Sequence, residues 1–175
     1  MTAPVIETER LRLRPFQLED APEVQRLCGA REIAASTLNI PHPYPDGAAE
    51  EWISGHGKDG SVTFAIERKE DGALVGAVGL RMEADHARAE LGYWVGVPYW
   101  GRGYATEAAG AAVRHGFEAK GLNRIYAFHF TNNPASGRVL QKIGMTHEGR
   151  RRAHTRKWGE YLDNEAYGIL RSEWS

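Results

Sequence analysis

Residues 99–108 read YWGRGYATEA, and this stretch decides the fold. It follows an alternating, strand-like segment at Arg88–Val95. It opens a run in which Ala105, Ala108, Ala109, Ala112, Val113, Gly116 and Phe117 recur at spacings of three and four. That spacing predicts a helix over 102–120, with Gly121 as its stop. Gly101 and Gly103 let the connection approach a ligand closely. The first N–H groups of a helix have no intrahelical acceptor and lie at the positive end of its dipole. Arg102, Gly103, Tyr104, Ala105 and Thr106 are therefore candidates to offer main-chain donors to an anion such as a pyrophosphate, with Arg102 adding a mobile charge. A helix start with a glycine turn accounts for the same residues, and two glycines alone favour that plainer account. The Gly-Lys-Ser/Thr of a nucleoside triphosphate loop is missing, and Thr106 stands where a dinucleotide GxGxxG needs its third glycine, so nucleotide hydrolysis and hydride transfer lose support. Glu107 puts a carboxylate in the first turn, where it would repel an anion unless it points elsewhere.

Outward from this loop, Leu11 and Leu13 alternate with Arg12 and Arg14 in a short edge-like strand, and 19–27 has helical spacing ended by Gly29. After the turn-rich IPHPYPDG at 40–47, residues 48–56 read as a short helix. Residues 62–67 and 74–81 read as a hairpin around Glu70, Asp71 and Gly72. Residues 124–130 are strand-like, 134–142 helical, and 145–152 and 161–170 are the last two strands. This order predicts an α+β fold, a mixed sheet flanked by helices, as one domain spanning 1–175.

With 175 residues there is no room for two large domains, and 42% hydrophobic with 26% charged residues excludes a disordered or collagen-like chain. The net charge of −1 supplies no field to draw in nucleic acid or an anionic membrane. Cys28, the single cysteine, excludes an internal disulfide and a multi-cysteine zinc site and fits a reducing compartment, so a cytoplasmic protein is expected. The start, MTAPVIETERLRLRPF, has no basic segment leading into an apolar one, and no later stretch reaches the length of a membrane span. None of the seven histidines falls in an HExxH or CxxC context, so no metal site is expected.

A second informative stretch runs from Thr131 through Asn133, Pro134, Ala135 and Ser136 into GRVLQKIGM. It sits after a strand and opens a helix. Asn133 and Pro134 form an ordinary N-cap and N1 pair, whereas Ser136 has no local structural duty. Together with WGRGYATEA, the opening ETERLRLRPF, the IPHPYP turn, ELGYWV and the closing YLDNEAYGILRSEW, this block resembles the GNAT acetyltransferases, in particular the branch containing the bacterial ribosomal-protein-alanine N-acetyltransferases. The resemblance covers nearly the whole chain. It implies a mostly antiparallel, seven-stranded twisted sheet splayed between its fourth and fifth strands, Arg88–Val95 and Arg124–Phe130, with acetyl-CoA in the splay. It further implies that Arg102 to Thr106 hold the pyrophosphate, that main-chain groups of Trp94, Val95 and Val97 pair with the pantetheine arm, and that Asn133 contacts the cofactor. Two positions depart from the family. Its loop pattern, Gln/Arg-x-x-Gly-x-Gly/Ala, has Trp100 in first place here, and the tyrosine that many members carry on the helix after Ser136 is Leu140.

Acetyl transfer to an amine needs a neutral amine, a donor for the oxyanion and a proton for the departing thiolate. Alternation puts Glu90, Gly92 and Trp94 on one face and Leu91, Tyr93 and Val95 on the other. Glu90 is thus a candidate base facing the acceptor, directly or through water; a surface pairing of Glu90 with Arg88 or Arg81 fits equally well. His147 and Glu148 are weaker alternatives. An N–H near Val95 is the candidate oxyanion donor. The resemblance makes Ser136 the proton donor. Cys28 reads as a buried thiol rather than an acetyl carrier, which favours direct attack in a ternary complex. Arg150, Arg151, Arg152, Arg156 and Lys157 read as a solvated strand face.

The expected function is N-acetyl transfer to a protein N-terminus or a small-molecule amine. A non-catalytic acyl-CoA sensor is the alternative, and a nucleic-acid-binding module is disfavoured by the near-zero charge. Tyr44, Asp46, Glu50 and Glu51 lie in the segment that resembles the acceptor cover. An exposed sheet edge near the C-terminus could support a homodimer.

Overall fold

The computed structural model describes residues 3–175. Eight strands form one sheet in the order β1-β2-β3-β4-β5-β6-β8-β7. The strands are β1 (Ile6–Glu7), β2 (Leu11–Pro15), β3 (Val62–Arg68), β4 (Leu74–Glu83), β5 (Arg88–Val95), β6 (Arg124–Phe130), β7 (Thr146–Lys157) and β8 (Glu160–Leu170). The helices are α1 (Ala21–Cys28), α2 (Arg31–Ser36), α3 (Ala48–Ser54), α4 (Tyr104–Glu118) and α5 (Pro134–Lys142). All neighbours pair antiparallel except β5 and β6, which are parallel. Among the described residues no helix is long and apolar enough to cross a membrane.

The expected mixed sheet flanked by helices is present, with one strand more than the seven expected. β1 has two residues, too few to show an alternation. It pairs Ile6 with Leu13, which turns β2 from an edge into an interior strand with Leu11 and Leu13 wholly buried. The sequence reading also lacked α2, a six-residue helix with no side-chain cap. It ended β7 five residues early. The register of β7 on β8 slips between His147 and Gly149 and again between Arg151 and Thr155. The first slip adds one residue on β7 and reverses its two-residue alternation; the second adds two and breaks the ladder where the sequence expectation ends the strand.

Two apolar layers hold the sheet. On one face Leu13, Phe64, Val78, Leu80 and Leu91 pack against Ala108, Ala112, Val113 and Phe117 of α4. The small residues of α4 let the helix lie close to the strands. Phe117 is fully buried, a contribution of about 1.5–3 kcal/mol. On the other face Val24, Leu27, Ile33, Ala49 and Ile53 from α1, α2 and α3 cover Ala65, Ala77 and Trp94. These layers fix β5 between α4 on one side and α3 on the other.

Candidate active site

β5 and β6 pair at three positions: Arg88 with Arg124, Ala89 with Ile125 and Glu90 with Tyr126. The pairing stops there, yet β5 runs on to Val95 and β6 to Phe130, so the sheet splays open between them. This is the splay expected between Arg88–Val95 and Arg124–Phe130. Gly96 N–H donates to Val75 O at 2.8 Å, continuing the register that sets Gly76 opposite Val95. In an antiparallel ladder alternate residues turn both main-chain groups to the same neighbour, so Trp94 and Gly96 face β4 while Tyr93 and Val95 face the gap.

That alternation sorts the main-chain groups assigned to the pantetheine arm. Trp94 sits opposite Ala77 and its groups turn towards β4; its side chain packs near Trp52, 6.5 Å between rings. Trp100 folds back so that its Nε1–H donates to the Val95 carbonyl at 2.6 Å, and its N–H donates to Val97 O at 3.2 Å. Trp100 thus takes one acceptor each on Val95 and Val97. Of the two Val95 groups, the N–H is the one that Trp100 leaves open to the gap.

Gly103 caps the front of α4 in a left-handed conformation, φ +80°, which explains why glycine stands there. Glu107 N–H bonds to Gly103 O at 3.1 Å, which leaves the amides of Tyr104, Ala105 and Thr106 without an intrahelical acceptor, beside the exposed Arg102 side chain. The Glu107 carboxylate does not point at them. It accepts from Thr8 Oγ1 at 2.6 Å, from Arg10 N at 2.9 Å and from Arg10 Nε at 2.8 Å. Burial would raise its pKa, but these hydrogen bonds outweigh burial and hold it below the usual glutamate value. Arg10 also donates to Arg102 O at 2.8 Å and lies over the Tyr104 ring, bracing the turn.

A cleft of about 620 Å³ runs from the splay across the sheet face to the loop between α2 and α3. Glu90 and Ser136 both line it, as do Trp52, His56, Arg81 and Tyr93. Glu90 is bound to the Arg81 guanidinium, while Arg88 pairs with Glu83 at 2.6 Å. The carboxylate is therefore in the cleft and ion-paired at once. The alternative bases are elsewhere: His147 binds Glu165 at 2.6 Å, Glu148 binds Arg124 at 2.6 Å, and neither lines the cleft. His56 packs edge-on between Phe16 and Trp52, and burial lowers its pKa, which keeps it neutral near pH 7.

On the far wall, Asn133 occupies the N-cap of α5, but its side chain makes no capping hydrogen bond; its N–H returns to Phe130 O at 2.8 Å. Ser136, one turn on, meets the Tyr93 phenol, 2.7 Å between oxygens. Sequence reasoning missed Tyr93. The available signal was a tyrosine on the inward face of a central strand, since a buried phenol requires a hydrogen-bond partner. Leu140 is fully buried in the core. Cys28 is buried, and burial pushes its thiol up to about 12.

The tip of the β7–β8 hairpin is tied to α2 and to the loop after it, part of which lines the cleft. Lys157 Nζ donates to Thr37 O at 2.7 Å, and Arg31 lies over the Trp158 ring at 4.4 Å. Arg150 pairs with Glu165 and Arg151 lies over Phe128, so much of the basic strand is engaged within the fold.

A family model described as the acetyltransferase (GNAT) domain matches residues 10–146. The chain is 32% identical over 178 residues to YoaA of Bacillus subtilis, an uncharacterized N-acetyltransferase, across 96% of this chain and 97% of that one. The crystal structure of a GNAT-family acetyltransferase from Bacillus anthracis matches with a TM-score of 0.88 at 26% identity, covering 97% of this chain and all (100%) of that one. Spermidine N-acetyltransferase from Vibrio cholerae, solved with CoA and spermine, shares the fold with a TM-score of 0.83 at 24% identity, covering 95% and 98%. The chain belongs to the GNAT acetyltransferases, a family of acetyl-CoA-dependent N-acetyltransferases.

Proposed function

We propose that this chain moves an acetyl group from acetyl-CoA onto a primary amine, either the α-amine of a polypeptide or a small-molecule amine, by direct attack in a ternary complex. The observation that carries this reading is the end of the β5–β6 pairing at Glu90 and Tyr126. It opens a gap with a carboxylate on one wall, a hydroxyl on the other and an open helix front beyond Val95.

The residues present suit acetyl-CoA. The amides of Tyr104, Ala105 and Thr106 and the Arg102 charge fit a pyrophosphate; the Val95 N–H offers a donor along the gap; Asn133, at the start of α5, has a side chain not spent on capping. Bound there, acetyl-CoA supplies an activated acyl carbon. The rest is the work of the chain. A carboxylate has about four lone-pair sites, so Glu90 retains capacity beside Arg81 to take a proton from the amine through a water. An α-amine, near about 7.7–8.0 unperturbed, asks little of that base, and a lysine amine near about 10.4 asks more. The Val95 N–H polarises the thioester carbonyl, and Ser136 offers its proton to the departing sulfur. Cys28 does not compete as a carrier, because a thiol pushed up to about 12 supplies almost no thiolate.

The test is a thiol-release screen with acetyl-CoA against N-terminal peptides, polyamines and aminoglycosides. Release that depends on an amine is expected. Heat of coenzyme A binding without release for any amine would favour the sensor alternative, and the absence of both would overturn the reading.

A further inference from the structure

We propose that Tyr93 is a positioning residue for acetyl transfer: its phenol donates to Ser136 Oγ and so aims the one proton of the serine at the sulfur of the thioester. This rests on the acetyltransfer reading above. Tyr93 lies on β5 three residues beyond the last β5–β6 pair, and Ser136 lies in the first turn of α5 on the opposite wall. Their oxygens meet at 2.7 Å across the unpaired gap, with the Ser136 carbonyl a second acceptor for the phenol at 3.3 Å. Both residues are among those that line the cleft with Glu90.

The direction of the short bond follows from acidity. A phenol near about 10 is a far better donor than an aliphatic hydroxyl. Burial pushes Tyr93 further, up to about 12, so it remains a neutral donor at every working pH. A serine hydroxyl otherwise rotates freely. With one lone pair engaged by Tyr93, its proton is confined to directions away from β5, towards the open gap. Donors linked in series also polarise one another. In the transfer, the carbon–nitrogen bond forms and the carbon–sulfur bond breaks with its electron pair on sulfur. The proton shed by nitrogen passes to Glu90 and on to solvent. Sulfur takes a proton from Ser136, and solvent returns one to Ser136 from the open gap.

The bond could also be a plain staple between β5 and α5, and the two roles separate by experiment. Tyr93→Phe, Ser136→Ala, the double variant and Ser136→Thr would be compared for thiol release, or for slow acetyl-CoA hydrolysis, which breaks the same carbon–sulfur bond when no amine serves. Coenzyme A affinity would be measured by calorimetry. Tyr93→Phe is expected to lower kcat about tenfold with KM and Kd for the coenzyme within about twofold. It should have no further effect in the Ser136→Ala background, and it should reappear in the Ser136→Thr background, where the hydroxyl is retained. An unchanged kcat, a loss that multiplies onto Ser136→Ala, or a loss explained by weaker coenzyme binding would overturn the role. A wild-type chain with neither heat nor thiol release would instead overturn the acetyltransfer reading, and this role with it.

Discussion

Glu107, in the first turn of α4, turns its carboxylate back onto Arg10, 2.8 Å from Nε, and away from the helix front. A residue that would otherwise repel a pyrophosphate instead neutralises the guanidinium that braces the turn at Arg102. Replacing Glu107 with alanine should cost about 1–2 kcal/mol of stability, a discounted figure because Arg10 is partly exposed, and should weaken coenzyme A binding a few-fold. The folded-state pKa of Glu107 is lowered, so its contribution is present at neutral pH and is lost as pH falls below the ordinary glutamate value. Denaturant melts at pH 7 and pH 3 check this: the variant and the parent should differ at the first and converge at the second.

Gly103→Val should damage the anion site directly. The residue sits at φ +80°, and an added Cβ would approach Arg10 Nη2 to 3.3 Å. The expected result is a loss of about 1–2 kcal/mol in stability and at least about tenfold in coenzyme A affinity by calorimetry. An unchanged Kd would remove the front of α4 from the binding site.

Trp100→Gln restores the family pattern and releases the Val95 carbonyl. If that carbonyl serves the pantetheine arm, coenzyme A should bind about fivefold tighter, the worth of roughly one hydrogen bond. Weaker binding would mean that the indole is itself part of the site, holding the loop in place.

Gly137→Ala tests the seat of Ser136. A Cβ there would meet His129 Nε2 at 2.7 Å, and His129 is held by its Nδ1 contact to Phe130 O. α5 must shift to admit the methyl group, at a cost of about 1–3 kcal/mol. Because Ser136 rides on the same turn, kcat should fall more than KM rises.

Alkaline stability should follow the buried acids. Burial pushes the Cys28 thiol and the Tyr93 phenol both up to about 12, above the ordinary values of a free thiol and phenol. The unfolded chain releases these protons first, so stability is intact below about pH 9 and declines as pH rises towards about 12. Cys28→Ala should flatten the early part of that decline in thermal melts at pH 8 to 11.

The glycine loop, α4 and the α5 block were legible because each writes its signature in adjacent residues: Gly103 for the left-handed cap, the alanines for the packed face, Pro134 for the helix start. Alternation assigns Glu90 a face, but which arginine it pairs with, Arg88 or Arg81, is decided by the β4–β5 register, which the sequence does not write locally. The Tyr93–Ser136 bond joins residues 43 apart in the chain, and the Glu107–Arg10 bond residues 97 apart. Neither leaves a local pattern. The bulges in β7 hide in a run of exposed residues where no apolar alternation exists to be broken.

The hydrogen bond from Lys157 to Thr37 ties the tip of the β7–β8 hairpin to the loop that lines the cleft. The walls of the cleft join at Glu90 and Tyr126, and the tether limits how far the loop opposite can swing. A tethered loop holds that side of the entrance to one width and favours acceptors that fit it. Cutting the tether with Lys157→Met should therefore widen the range of acceptors accepted, with the grip on the donor nucleotide left as it was.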